Sequence, residues 1–308
     1  MHPILLKTGL IDIHWYGVMM ALGFLAATAN CVYLGRKSGK DASFISDLLC
    51  WIMVSGIIGA RLAHVTANFG DYRDDPISVL YIHRGGLIYY GGFIGAAVGI
   101  LLFARLRREN LLGLYDMVAV AAPLSHAMGR LGCMLNGCCY GKVTHGITGI
   151  RYPLDSAVGW SHFRHQLIEN EQVRTLMAKL RFSQISDDKF ATNLSDMVNR
   201  GVISRTDGLS LPVHPAQLYE AALNILLYAV LMWFFFRKKQ DGRIAALYLL
   251  GYPAIRFAVE FTRGDSIHLQ NMFGLTVAQI VSILLFVAGI VAWIWLLNRE
   301  RTQTDSTR

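Results

Sequence analysis

The segment Ala127 to Lys142 reads AMGRLGCMLNGCCYGK and holds an arginine, three cysteines and four glycines. His126, Arg130 and Cys133 follow an i, i+4, i+7 pattern, so a helix through them presents all three on one face. Further along, Arg256 and Glu260 stand at i, i+4 and can pair, which lowers the cost of burying both. Two guanidinium groups suit an anion, because their planar forks match phosphate oxygens. The cysteines invite a second chemistry. Cys133, Cys138 and Cys139 do not follow a standard zinc spacing, and a Cys133–Cys138 disulfide would need an oxidising compartment. The plainest reading makes them small residues in a tight turn, and no metal or cofactor is expected.

These groups are carried by a chain that is 54% hydrophobic and only 16% charged, whereas soluble domains carry about 25% charged residues. Apolar runs of about 20 residues recur, long enough to cross a hydrocarbon core. The expected fold is therefore all-α: a polytopic membrane protein with seven transmembrane helices and an extracytoplasmic insertion. The spans are expected at His14–Leu34, Leu48–Thr66, Leu87–Leu106, Leu114–Leu135, Leu218–Phe236, Ile244–Phe261 and Phe273–Leu297. Helices one to four with the cysteine-rich motif fill residues 1–143, the insertion 144–212, helices five to seven 213–297 and a cytoplasmic tail 298–308. Two weakly amphipathic patterns in the insertion, Arg164–Phe182 and Asp187–Arg200, suggest short surface helices.

The net charge of +8 does not point to nucleic acid. Its basic residues sit in clusters such as GRKSGK, RLRREN and RKKQDGR beside the ends of apolar runs. Such clusters mark the cytoplasmic side, which puts the N-terminus outside and the C-terminus in the cytoplasm. Gly91, Gly95 and Gly99 form a small-residue stripe on the third span, and Gly56 with Ala60 another on the second; both let helices approach closely. Pro123 and Pro253 fall inside spans four and six, where each removes a backbone donor.

Charged residues inside a span cost about 2.5–3.5 kcal/mol each on insertion scales, so their depth is informative. Arg61 and His64, Tyr89 and Tyr90, His126, Arg130 and Cys133, His214, Gln217 and Glu220, Arg256 and Glu260, and His14 and Tyr16 all fall in the expected outer half. A transporter would carry polar groups through the full depth. An enzyme acting on a lipid headgroup needs them at one level.

The motifs HWYGVMMALGF, GARLAHV, GGLIYYGGFIG, GRLGCMLNGCCYG, HPAQLYE and GYPAIRFAVEFTR stand in the order found in the prolipoprotein diacylglyceryl transferases, and the chain resembles that family across all seven expected spans. The resemblance implies an enzyme of the bacterial cytoplasmic membrane. It would move the diacylglyceryl group of phosphatidylglycerol onto the lipobox cysteine of a prolipoprotein, forming a thioether and releasing glycerol 1-phosphate. By motif, Arg130 falls at the signature arginine and Gly141 at its closing glycine. Arg256 and Glu260 match the pair of the penultimate span, and Tyr16 the tyrosine of the first. The best-known signature has asparagine at Cys133 and glutamate at Cys138, and the histidine of its HGG motif is Tyr90 here, as in a sub-branch of the family.

The catalytic candidates are then Tyr90, Arg130, Arg256, Glu260, Tyr16 and His126. Phosphatidylglycerol would be contacted by Arg130, Arg256, Arg61, Gly141, Cys133 and Cys138. Two other classes compete: a membrane thiol–disulfide or metal-binding protein working through Cys133, Cys138 and Cys139, and a solute transporter.

Overall fold

A computed structural model describes residues 4–7, 12–73, 75–81, 85–152, 212–238, 240–264 and 274–306. The two expected surface helices of the insertion lie outside the described residues. Helices occur at all seven expected positions: α1 (Trp15–Lys37), α2 (Ala42–Ala67), α4 (Tyr89–Arg107), α5 (Leu111–Asn136), α6 (Ala216–Phe235), α7 (Arg243–Glu260) and α8 (Val277–Ser306). A single-turn helix α3 (Phe69–Tyr72) and a 3-10 turn (Pro76–Leu80) follow α2. Among the described residues, six helices are long and apolar enough to cross a membrane. The helix outside that set is α7, whose 18 residues include Arg243, Arg256 and Glu260.

Two features depart from an all-helical expectation. Residues Ile4–Lys7 (β1) and Asp12–His14 (β2) pair as an antiparallel hairpin, so His14 ends a strand and the first helix begins at Trp15. In addition, α8 runs on to Ser306, through most of the stretch expected to be a tail.

The chain divides into two compact units, described separately. The larger apolar core belongs to the unit comprising Phe24–Ser125, Ile225–Tyr252 and Leu284–Arg308, where Leu34, Ile45, Leu48, Phe103, Val120, Leu231 and Ile244 are fully buried. Here α2 and α4 pack through small residues. A Cβ on Gly59 would stand 2.8 Å from Gly95 Cα, and one on Gly99 2.8 Å from Ser55 Cβ. The glycine stripe of α4 therefore packs as expected, with Gly59 and Ser55 of α2 as its tightest partners.

The same unit contains a buried ion pair. Asp116, inside α5 and fully buried, accepts from Lys238 Nζ at 2.7 Å, from Gly242 N at 2.9 Å and from Ala245 N at 2.8 Å. The first N–H groups of a helix lack intrahelical acceptors, so this carboxylate serves as a cap for α7 supplied by another helix.

The other unit comprises Met1–Gly23, His126–Asn224 and Pro253–Ile283. Three chain segments are joined there by backbone bridges: Gly141 pairs with Arg263, and Val143 and Ile150 pair with Val213. Gly141 N donates to His214 O at 3.0 Å, Lys142 N to Thr262 O at 2.8 Å and Gly264 N to Tyr140 O at 3.1 Å.

Candidate active site

The local fold explains how the cysteines come together. Helix α5 stops at Asn136, and Gly137 takes a left-handed conformation (φ 73°), which glycine adopts without a Cβ clash. Cys138 N then bonds back to Cys133 O at 3.0 Å and Gly137 N to Met134 O at 3.1 Å. This doubly bonded terminator satisfies the last carbonyls of the helix. It also folds Cys138 over Cys133, and the Cys138 thiol points at Cys133 O, 3.7 Å away. A second left-handed residue, Cys139 (φ 61°), turns the chain again. The sulfurs of Cys133, Cys138 and Cys139 consequently all lie within 4.8 Å of one another.

Beside the thiols stand arginines and carboxylates. Arg130 Nη2 of α5 pairs with Glu220 Oε1 of α6 at 2.9 Å. Arg256 Nη1 and Glu260 Oε2 of α7 pair at 2.5 Å, as their spacing predicts. Arg263, just beyond α7, brings its Nε within 3.7 Å of the same Glu260 oxygen. Cys139 lies within electrostatic reach of both Arg263 and Arg130. The charged groups thus form two clusters, Arg130 with Glu220 and Glu260 with Arg256 and Arg263, and Cys139 feels an arginine of each. Glu220 is 2% exposed and Glu260 4%. Such buried carboxylates require cationic partners, and three guanidinium groups outnumber the two carboxylates.

The Cys133 and Cys138 sulfurs stand close to the Cys139 sulfur and favour its thiolate, and the two arginines add positive charge near it. Burial opposes them, but the Cys139 thiol is held well below the ordinary thiol range.

One face of α6 supplies the remaining polar wall. Gln217, Glu220 and Asn224 are all buried, and Gln217 Nε2 donates to Cys138 O at 2.8 Å. Tyr16 packs on Gly132, whose missing Cβ would sit 3.3 Å from its ring. It lies within electrostatic reach of Arg130 and all three thiols. His126 stands within similar reach of Arg130. Of the residues expected from sequence, Tyr16, His126, Arg130, Cys133, Cys138, Gly141, Arg256 and Glu260 fall in this unit, whereas Arg61 and Tyr90 belong to the other.

Gly141 is held by close backbone packing. A Cβ there would meet His214 Cβ at 2.5 Å and Thr262 O at 2.8 Å, inside any normal contact distance. Tyr90, half-buried, stands in the first turn of α4 with its ring edge-on to Tyr89. Arg61 is 7% exposed and donates to four backbone carbonyls: Val79 at 2.8 Å, Ser78 at 2.7 Å, Gly85 at 2.9 Å and Gly86 at 3.0 Å. Its guanidinium therefore ties down the segment leading into α4, where a phosphate contact was expected.

Sequence reasoning read Glu220 only as a polar residue and missed both Arg263 and Asn224. Arg263 follows the end of α7 in what reads as a loop, three residues after Glu260, and pairs with Gly141 across a backbone bridge.

The family model for prolipoprotein diacylglyceryl transferase matches residues 3–295. Among similar curated proteins, the phosphatidylglycerol–prolipoprotein diacylglyceryl transferase of Burkholderia multivorans is 31% identical over 312 residues, covering 97% of this chain and 96% of that protein. The protein of the same name from Burkholderia thailandensis is 31% identical over 309 residues, with 96% and 95% covered. With a match that runs from the N-terminal hairpin almost to the end of α8, the chain belongs to the prolipoprotein diacylglyceryl transferase family.

Proposed function

We propose that this membrane protein transfers the diacylglyceryl group of phosphatidylglycerol to the thiol of a prolipoprotein lipobox cysteine. The observation that carries the reading is the set of Arg130, Arg263 and Arg256 held by Glu220 and Glu260. The bond from the glycerol carbon to the phosphate oxygen breaks, a carbon–sulfur bond forms, and glycerol 1-phosphate leaves with the electron pair. A free thiol ionises near pH 8.5, so deprotonation costs only about 2 kcal/mol at neutral pH. Stabilising the departing phosphate in a low-dielectric site is the larger demand. Arg130 and Arg256 meet that demand, with Glu260 orienting Arg256.

Tyr90, at the place of the family's histidine, donates a hydrogen bond to the phosphate. The neutral imidazole of His126 accepts the thiol proton, and Tyr16 supports the headgroup. Cys133, Cys138 and Gly141 line the phosphate site. For Arg61 the bonds to four carbonyls favour a positioning role, setting the segment that delivers Tyr90. The protein uses no cofactor in this reaction. It sits in the bacterial inner membrane with seven spans, α7 included, the N-terminus outside and the C-terminus in the cytoplasm. The 144–212 insertion is extracytoplasmic.

The deciding experiment incubates the purified chain with phosphatidylglycerol and a lipobox peptide and weighs the peptide. A diacylglyceryl mass on its cysteine is the expected result, and an unchanged peptide would refute the reading. In the same assay Tyr90→Phe is expected to slow transfer by about 100- to 1,000-fold, the size of one lost transition-state hydrogen bond; full activity would remove Tyr90 from the mechanism.

A further inference from the structure

Nothing in the transfer reaction calls for thiols on the enzyme, because the substrate brings its own. Yet the fold gathers three of them. The helix terminator at Gly137 places Cys138 on Cys133. Cys139 adopts a left-handed backbone (φ 61°) that side chains other than glycine, asparagine and aspartate rarely take. That conformation brings the third sulfur within 4.8 Å of the other two. Strained backbone of this kind concentrates at ligand clamps and active sites.

We propose that Cys133, Cys138 and Cys139 form a trigonal site for one soft monovalent cation, copper(I). A metal–sulfur bond of about 2.3 Å sets trigonally placed sulfurs about 4 Å apart, so the observed triangle needs to contract by less than about 1 Å. The three-membered set contains no fourth histidine or carboxylate ligand among the described residues. Zinc asks for four ligands, whereas thiolates alone suit copper(I). Electrostatics agree. Three thiolates around a monovalent ion leave an excess of negative charge, and Arg130 and Arg263 flank the cluster at Cys139. Binding displaces the thiol protons to solvent. A disulfide would engage two of the sulfurs and leave the turn at Cys139 without a purpose. This site does not depend on the transferase reading, since its ligands are present whatever the substrate.

The test uses the full-length chain in nanodiscs, reduced with a phosphine under anaerobic conditions and titrated with copper(I) against the chelator bicinchoninate. One copper per chain should leave the chelator, and X-ray absorption should show a three-coordinate, sulfur-only shell. Cys31→Ser with Cys50→Ser should bind unchanged, and Cys133→Ser with Cys139→Ser should bind at least about 100-fold more weakly. Alkylation of the wild-type chain supplies a readout that needs no variant: copper should protect Cys133, Cys138 and Cys139 from iodoacetamide but leave Cys50 reactive. Copper that stays on the chelator, equal binding by the Cys133→Ser/Cys139→Ser chain, or unprotected thiols would each overturn the site. So would isolation of the chain with a Cys133–Cys138 disulfide. Peptide lipidation is untouched by these outcomes, so failure here and failure of the transferase reading remain distinct.

Discussion

Arg263 shows how one residue can matter without announcing itself. It shares the Glu260 carboxylate with Arg256, so removing it leaves that carboxylate with one cationic partner and lowers the positive charge of the site. Arg263→Ala should lower the transfer rate by about 10- to 100-fold, and Arg263→Lys should recover only part of it, because a point charge replaces a planar fork. Steady-state rates with phosphatidylglycerol and a lipobox peptide check both; an alanine variant at wild-type rate would exclude Arg263. The contrast with Arg256 explains what sequence can reveal at this scale. Arg256 and Glu260 share a helical spacing and declare their pairing in advance. Arg130 and Glu220 sit on different helices, so their partnership exists only once the chain is folded, while Arg263 stands i+3 from Glu260 but beyond the helix end, where spacing does not announce a pairing.

At the scale of elements, two features far from any predicted pairing hold helices in place. The first is the backbone stitching around Gly141. Any side chain there collides with main-chain atoms of Thr262 and the Cβ of His214, which cannot rotate away. Gly141→Ala should force the segments apart at a cost of about 1–3 kcal/mol and should abolish most transfer while the chain still inserts into membranes. Wild-type activity together with an unchanged melting temperature in detergent would show that the segments absorb a methyl group. The second is Asp116. Asp116→Ala leaves Lys238 with Asp241 as its carboxylate partner and two N–H groups of the α7 start without their acceptor. Losing a helix cap costs about 0.5–2 kcal/mol, so thermal unfolding in detergent should begin earlier; an unshifted midpoint would contradict the capping role. The seven long helices were legible from apolar run lengths, although α2 begins six residues before its expected start and α8 runs nine residues past its expected end. The N-terminal hairpin was not legible, because three- and four-residue strands lack enough alternation to stand out from a helix start.

For the whole molecule, the distribution of basic residues sets the expected orientation. Arg36 and Lys37 close α1, and Arg105 and Arg107 close α4. A fluorescent reporter that matures only in the cytoplasm should light up when placed at Gly39 and stay dark when placed at Asp75. The reverse pattern would invert the topology. Composition alone made the membrane class legible, and the ordered motifs made the family legible. The pairing of the site's charges across helices was not, since it depends on which helix ends are brought together.

The stitching at Gly141 also fixes when this protein becomes competent. Its partner strand at Thr262–Gly264 is made long after Gly141 has left the ribosome, and Arg256, Glu260 and Arg263 emerge just as late. A nascent chain that has released only its first five major helices therefore carries Arg130 with Glu220 but lacks Arg256, Glu260 and Arg263. Competence arrives in one late step of biogenesis, so a half-built polypeptide waiting at the insertion machinery has no means of consuming the surrounding phospholipid.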